Sequence, residues 1–160
     1  MMYSLSFNKR KGVSLLEVLL ASGIIGILLF VVVSSFTSVR DAEAVKKDAV
    51  RILSLLHDAR TITLASHSTS VYGVYASSTT VVLFRGASYV PSDPENRVLN
   101  LNPKTEIGGV TLAQGGYAVV FDRLTGATED DGTIVVQDVT DPSNAHTITI
   151  YETGLAEITS

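Results

Sequence analysis

The chain has 160 residues, 46% hydrophobic and only 18% charged, and it lacks cysteine, which excludes disulfides, thiol catalysis and Cys-based zinc sites. Its net charge of −4 is unevenly placed: of 12 basic and 16 acidic residues, Lys9, Arg10, Lys11, Arg40 and Glu17 lie in 1–40, leaving 8 and 15 in 41–160, a net of −7. An acidic region repels phosphate backbones, which argues against general nucleic-acid binding.

The first predicted element is an apolar helix over 13–36. Of its 24 residues, 16 are Val, Leu, Ile or Phe, and Glu17 is its one formal charge. A helix of that length rises about 36 Å, enough to cross a hydrocarbon core of about 30 Å. On an insertion scale the apolar residues favour the bilayer by roughly 5–10 kcal/mol, against about 2.5–3.5 for a central acid and less near an end. Insertion therefore wins, and a run apolar on all sides is a poor fit to a soluble core helix. Lys9, Arg10 and Lys11 precede the run, so the positive-inside rule keeps the N-terminus cytoplasmic and puts the acidic region outside. The rival is an ordinary signal peptide cut near Val33-Ser34-Ser35. It gives Glu17 no role.

The string "KRKGVSLLEVLLASGIIGILLF" resembles the prepilin leader of type IV pilins and type II secretion pseudopilins. Both have a short basic leader ending in Gly, then an apolar helix with Glu as its fifth residue. The resemblance implies that a prepilin peptidase cuts between Gly12 and Val13 and methylates the new amine at Val13. The cut falls before the apolar segment, which stays as an anchor. The resemblance also gives Glu17 a purpose, one helical turn from that amine. It would neutralise the amine, or that of a neighbouring subunit, and so register subunits in a filament. Opposite charges attract far more strongly in lipid than in water, although a glutamate that snorkels to the interface is the plainer alternative. Two features depart from the common pilin pattern. Val13 stands where Phe is commonest, and no proline follows in the later part of the segment, where Ser34-Ser35 lie; the second points to a minor subunit. Gly23 and Gly26 are ordinary for membrane helices.

The next predicted element is an amphipathic helix over 37–66. Ala42, Val45, Ala49, Ile52, Leu56 and Ala59 recur at spacings of three and four, with Leu53 and Leu55 widening the stripe. Asp41, Glu43, Lys46, Lys47, Asp48, Arg51, Asp58 and Arg60 stand between them as the polar face. No Pro or Gly falls in 27–72, so both helices read as one rod, ending near Ala65-Ser66-His67-Ser68.

From Ser70 the period becomes two. Strands are predicted over 71–75, 80–85, 97–101, 107–113, 117–122, 133–138, 147–151 and 155–159. Gly108-Gly109 marks a bulge or a late start. Turns fall at Ala76-Ser77-Ser78-Thr79, Pro91-Ser92-Asp93-Pro94, Leu124-Thr125-Gly126-Ala127 and Asp141-Pro142-Ser143-Asn144. Consecutive strands without helices imply an antiparallel sheet, one face covered by the stripe from Ala42 to Ala59. The fold class is α+β: a long N-terminal helix on an antiparallel β domain over 67–160.

The run "LLHDARTITLASHSTSVYGVY" is similar to the GspH/FimT branch of the pseudopilins, whose apolar helix tends to end in an Ala-Arg pair, here Ala59-Arg60. "AVVFDRLTGATEDDGTIVV" and "HTITIYETGLAEI" fit that group's outline of a Gly-containing turn and a final Gly-centred hairpin. Some members carry basic residues after the last Gly for DNA contact. Here Gly154 precedes Leu155-Ala156-Glu157, so that role is not carried over.

No enzymatic constellation is present. His57, His67 and His146 lack an HExxH spacing, and no GxSxG, SxxK or phosphate-binding loop occurs. Glu129-Asp130-Asp131-Gly132 is a candidate calcium loop, since several pseudopilins hold calcium in a loop, but it misses the alternate-residue acids of an EF-hand loop and a solvated turn is the preferred reading; no other metal and no cofactor is expected. The leading expectation is a structural subunit of a type IV pilus or type II secretion pseudopilus. Its implied partners are a prepilin peptidase, other pilins, an inner-membrane assembly platform and its ATPase. The alternative is a secreted or membrane-tethered β-domain that binds an extracellular ligand.

Overall fold

The computed structural model describes residues 12–65 and 70–159, without the side chains of 33–42. Lys9, Arg10, Lys11 and His67 lie outside the described residues. One helix, α1, runs Leu15–Ala65, as the absence of Pro and Gly beyond Gly26 predicts. Eight strands follow: β1 Tyr72–Ala76, β2 Thr80–Arg85, β3 Arg97–Asn100, β4 Thr105–Leu112, β5 Ala118–Val120, β6 Gly132–Asp138, β7 Ala145–Ile150 and β8 Ala156–Thr159. Each predicted strand is present, β2 with the same bounds and the others with at least one end shifted by one or two residues. The chain divides into two compact units, 1–38 and 39–160.

All strand pairings are antiparallel, but they form two four-stranded sheets, ordered β3-β2-β1-β5 and β4-β6-β7-β8, where one sheet was expected. Period-two alternation tells which face of a strand is buried, not which strand lies beside it. The chain changes sheet three times, from β3 to β4, from β4 to β5 and from β5 to β6, so that β4 pairs with β6 and β5 returns to β1.

The predicted helix stripe is the centre of the core. Val45, Ala49, Ile52 and Ala59 are fully buried and Leu56 nearly so. They join Val74, Val81 and Val119 of the first sheet and Ile134, Val136 and Ile148 of the second in one apolar cluster. Contacts with α1 also hold β3 and the turn after it. Arg51 donates from Nη1 to the Asn100 carbonyl at 3.3 Å, and Asp58 faces Arg97 at 3.7 Å.

The other face of the first sheet has its own cover. Gly73 pairs with Phe84, and a Cβ on Gly73 would lie 2.7 Å from the Phe84 ring. The missing side chain is what lets the ring lie flat over β1. Tyr89, from the β2–β3 connection, packs near Phe84 with centroids 5.7 Å apart and stacks on Tyr75 at 4.3 Å. The free edge of β5 is capped by side chains: Val120 N–H donates to Asp130 Oδ2 at 3.1 Å, and Thr128 Oγ1 donates to the Val120 carbonyl at 2.7 Å. Capping of this kind stops an edge strand from pairing with strangers.

Candidate functional site

The first candidate site is the start of α1. Gly12, Val13 and Ser14 are non-helical, and α1 begins at Leu15. The Gly12–Val13 bond thus lies just outside the helix, in the irregular backbone that proteolysis requires. Val13 is 69% exposed, and a Cβ on Gly12 would meet nothing within 4 Å. The Ser14 carbonyl accepts from the amides of Glu17 at 3.0 Å and Val18 at 3.2 Å, which closes the first turn. Ser14 stands at the N-cap and Glu17 three residues on, the Ser-x-x-Glu spacing of a capping box. A carboxylate in a first turn is favoured by the unpaired amides there. Glu17 therefore suits the helix start as well as a charge partner four residues back.

Among the described residues, the first part of the helix that follows is uncovered. Over Leu15–Val32 its mean hydropathy is 2.7, and none of the span is buried. Fourteen large apolar side chains in 13–32 are between 50% and 82% exposed. Covering them is worth on the order of 20 kcal/mol, more than the whole stability of most domains. The segment is long and apolar enough to cross a membrane. Ser22, its polar exception after Glu17, turns its hydroxyl back to the Leu19 carbonyl at 2.9 Å, the arrangement a hydroxyl needs in lipid.

The second candidate site lies at the other end of α1. Ala59 is packed in the core, and the next residue, Arg60, reaches two turns at once. Its Nε donates to the Gly126 carbonyl at 2.9 Å and its Nη2 to the Thr153 carbonyl at 3.4 Å. Both turns need glycine: φ is +65° at Gly126 and +72° at Gly154. A Cβ on Gly154 would collide with the Gly126 carbonyl oxygen. The Ala59-Arg60 pair, the Gly126 turn and the Gly154 hairpin, far apart in sequence, therefore meet in one place.

Several polar residues behave differently from their sequence reading. Asp48, expected on the polar face of the helix, is only 2% exposed. Its Oδ1 accepts from Arg51 Nη1 at 2.8 Å and its Oδ2 from the Asn102 amide at 2.6 Å. The Arg three residues on was the available sign. Asp138, also buried, accepts at Oδ1 from the Thr140 hydroxyl at 2.6 Å and amide at 2.7 Å, and from the Asp141 amide at 3.1 Å. These bonds, the Thr140 hydroxyl foremost, hold its carboxyl below the usual aspartate range. Within Glu129-Asp130-Asp131-Gly132, one Asp130 oxygen is already engaged by the Val120 amide. His57 Nε2 lies 3.2 Å from the Ala156 carbonyl, tying α1 to β8. No cluster of three metal-ligating side chains occurs among the described residues.

The arrangement is similar to a solved structure, the type IV minor pilin FimU of Pseudomonas aeruginosa strain PAO1. The match has a TM-score of 0.53 and covers 74% of this chain and 91% of that one, at 11% identity. The chain has a pilin-like fold. At that identity the likeness is one of fold alone. No protein-family model matches the sequence, and no curated protein sequence matches it either.

Proposed function

We propose that this pilin-like chain is a structural subunit, of the minor kind, in a type IV pilus or type II secretion pseudopilus. It is not an enzyme. A prepilin peptidase removes residues 1–12 by cutting between Gly12 and Val13, and it methylates the Val13 amine. Residues 13–36 then hold the subunit in the cytoplasmic membrane by a single pass, N-terminus cytoplasmic and β domain outside, until it enters the filament. There the same helix packs against other pilins. Glu17 meets a terminal amine, its own or a neighbour's, and sets the register of assembly. Lys9, Arg10 and Lys11 orient the precursor, and an inner-membrane platform with its ATPase drives insertion into the filament.

One observation carries the reading: a pilin-like fold joined to a helix that leaves Leu15–Val32 without any burial. Such a helix must be covered by lipid or by neighbours, and a subunit that passes from membrane to filament uses both. Intact-mass analysis of the chain recovered from cells with a prepilin peptidase tests it. The expected product begins at Val13 and carries one extra methyl group. A chain that keeps its first twelve residues, or that starts near Phe36, overturns the reading.

A further inference from the structure

The β domain contains an uncharged cleft that the assembly reading does not use. It lies where the β1–β2 turn meets the bulged part of β4, with a volume of about 440 Å³, inside the range of roughly 300–1,000 Å³ typical of small-ligand sites. Its walls include Tyr75 and Tyr117 on one side, Ser77 and Ser78 at the turn, and Gly108 and Gly109 on β4.

Three features make it a prepared surface rather than an accidental dent. First, the aromatic wall is fixed in place. Tyr75 is stacked on Tyr89 at 4.3 Å and met edge-on by Tyr117 at 6.4 Å, while Tyr117 remains 58% exposed. A ring held by its neighbours loses little freedom when a ligand stacks on it. Second, the β4 ladder passes from Ile107 opposite Val136 to Gly109 opposite Val135, so Gly108 has no partner strand residue. Its backbone groups are left over at a bulge, a device that recurs beside binding sites. Gly109 leaves open space, since a Cβ there would meet nothing within 4 Å. Third, no lining side chain carries a formal charge, although residues 41–160 hold 8 basic and 15 acidic groups.

The chemistry of the lining selects the ligand. An anion would meet the negative field of the domain, and a cation would find no carboxylate within the cleft. A purely apolar ligand would strip water from the serine and tyrosine hydroxyls without replacing their bonds. An extended peptide would need a free strand edge, and the Ile107 amide is already donated to the Ser78 carbonyl at 2.9 Å. What remains is a neutral ligand with apolar faces and a rim of hydroxyls. We infer that this cleft binds a neutral oligosaccharide, one pyranose face stacking on Tyr117 while its hydroxyls bond to Ser77, Ser78 and the Gly108 backbone. The inference is independent of the filament role, and it is tested at the opposite end of the chain.

The test is titration calorimetry of the full chain in a zwitterionic detergent, because a sugar-headed detergent would compete. Cellohexaose, chitohexaose and maltohexaose serve as probes. At least one is expected to bind with Kd below about 10 mM. Tyr117→Ala should weaken it about tenfold, the equivalent of one lost stacking contact. A Cβ at Gly109 meets no protein atom within 4 Å, so Gly109→Leu adds bulk at a lining position and should weaken binding by a similar factor. Tyr117→Phe, which keeps the ring, should stay within about threefold of the parent. Failure of all three probes to bind overturns the inference. So does binding that survives both Tyr117→Ala and Gly109→Leu, as does binding to an extended neutral peptide in their place.

Discussion

Arg60 and Gly154 should be energetically coupled, because both act on the contact between the Gly126 turn and the β7–β8 hairpin. Arg60→Ala removes one short charge-assisted bond, at 2.9 Å, and one long one, at 3.4 Å. The short bond dominates, so the loss is about 1.5–3 kcal/mol. Gly154→Ala acts by a different route. A non-glycine residue at φ +72° costs about 1–2 kcal/mol, and its Cβ strikes the Gly126 carbonyl oxygen. Relieving that collision moves the turns apart for another ~1–3 kcal/mol, and it carries the same carbonyl away from Arg60. Once Gly154→Ala has displaced the Gly126 carbonyl, removing Arg60 has less left to lose. The double variant should therefore be destabilised by about 1–2 kcal/mol less than the sum of the singles. Urea unfolding of the full chain in detergent micelles, followed by tyrosine near-UV circular dichroism, measures all four corners of the cycle. Additivity within ~0.5 kcal/mol would show that the two residues act separately and would refute the clamp.

Glu17→Ala should still insert into membranes and be cut before Val13, yet enter filaments poorly; incorporation at the parent level in sheared filament fractions would count against a registering charge. Asp138→Asn should be less stable than the parent at neutral pH. Because the folded carboxyl is held below its ordinary value, its contribution is complete above that value and disappears as pH falls through the folded one. The gap in thermal midpoint should therefore close on acidification below about pH 3.9; a pH-independent gap would mean packing, not ionisation, is responsible. Asp48→Ala should lower stability by about 1.5–3 kcal/mol, since it leaves the Asn102 amide without its acceptor and breaks the Arg51 pair, and a change under ~0.5 kcal/mol would show that water replaces the carboxylate.

The elements were legible because each has a local cause. The stripe Val45, Ala49, Ile52, Leu56, Ala59 could bury only one helical face, and it does. The β-branched run "GTIVVQD" alternates in burial as a strand should, while "TVVLFR" was readable by its short length and β-branched content and is buried on both faces. The division into two sheets was not legible, because it depends on β5 choosing β1 over β4, a choice made by three-dimensional packing. Gly108 shows the boundary well. Its weakness as a strand residue was readable, and so was a bulge, but not that Gln137 occupies the place a side chain would take. Arg60 is a similar case. The Ala59-Arg60 pair could be picked out by resemblance, while its use as a bridge between two distant turns required the fold. At the N-terminus the proposed site is itself a pattern, the spacing of Gly12, Val13 and Glu17 along one helix start. Nothing in their arrangement waits on tertiary contacts.

The two burial problems in this chain are solved by different means, and that separation is what suits it to assembly. Among the residues whose side chains are described, the apolar cluster of the β domain begins at Val45. That core is closed by its own helix stripe and two sheets. The Leu15–Val32 segment in turn keeps all of its apolar surface available. A soluble domain that held back about 20 kcal/mol of burial in this way would aggregate. A subunit that must leave lipid and enter a filament needs just this reserve, because the surface given up by the membrane is then offered whole to its neighbours. Hydrophobic burial has no directional preference, so it cannot choose which turn of one helix faces which turn of the next. A single charge can. In the assembly we propose, that charge is Glu17, the only acid in the run.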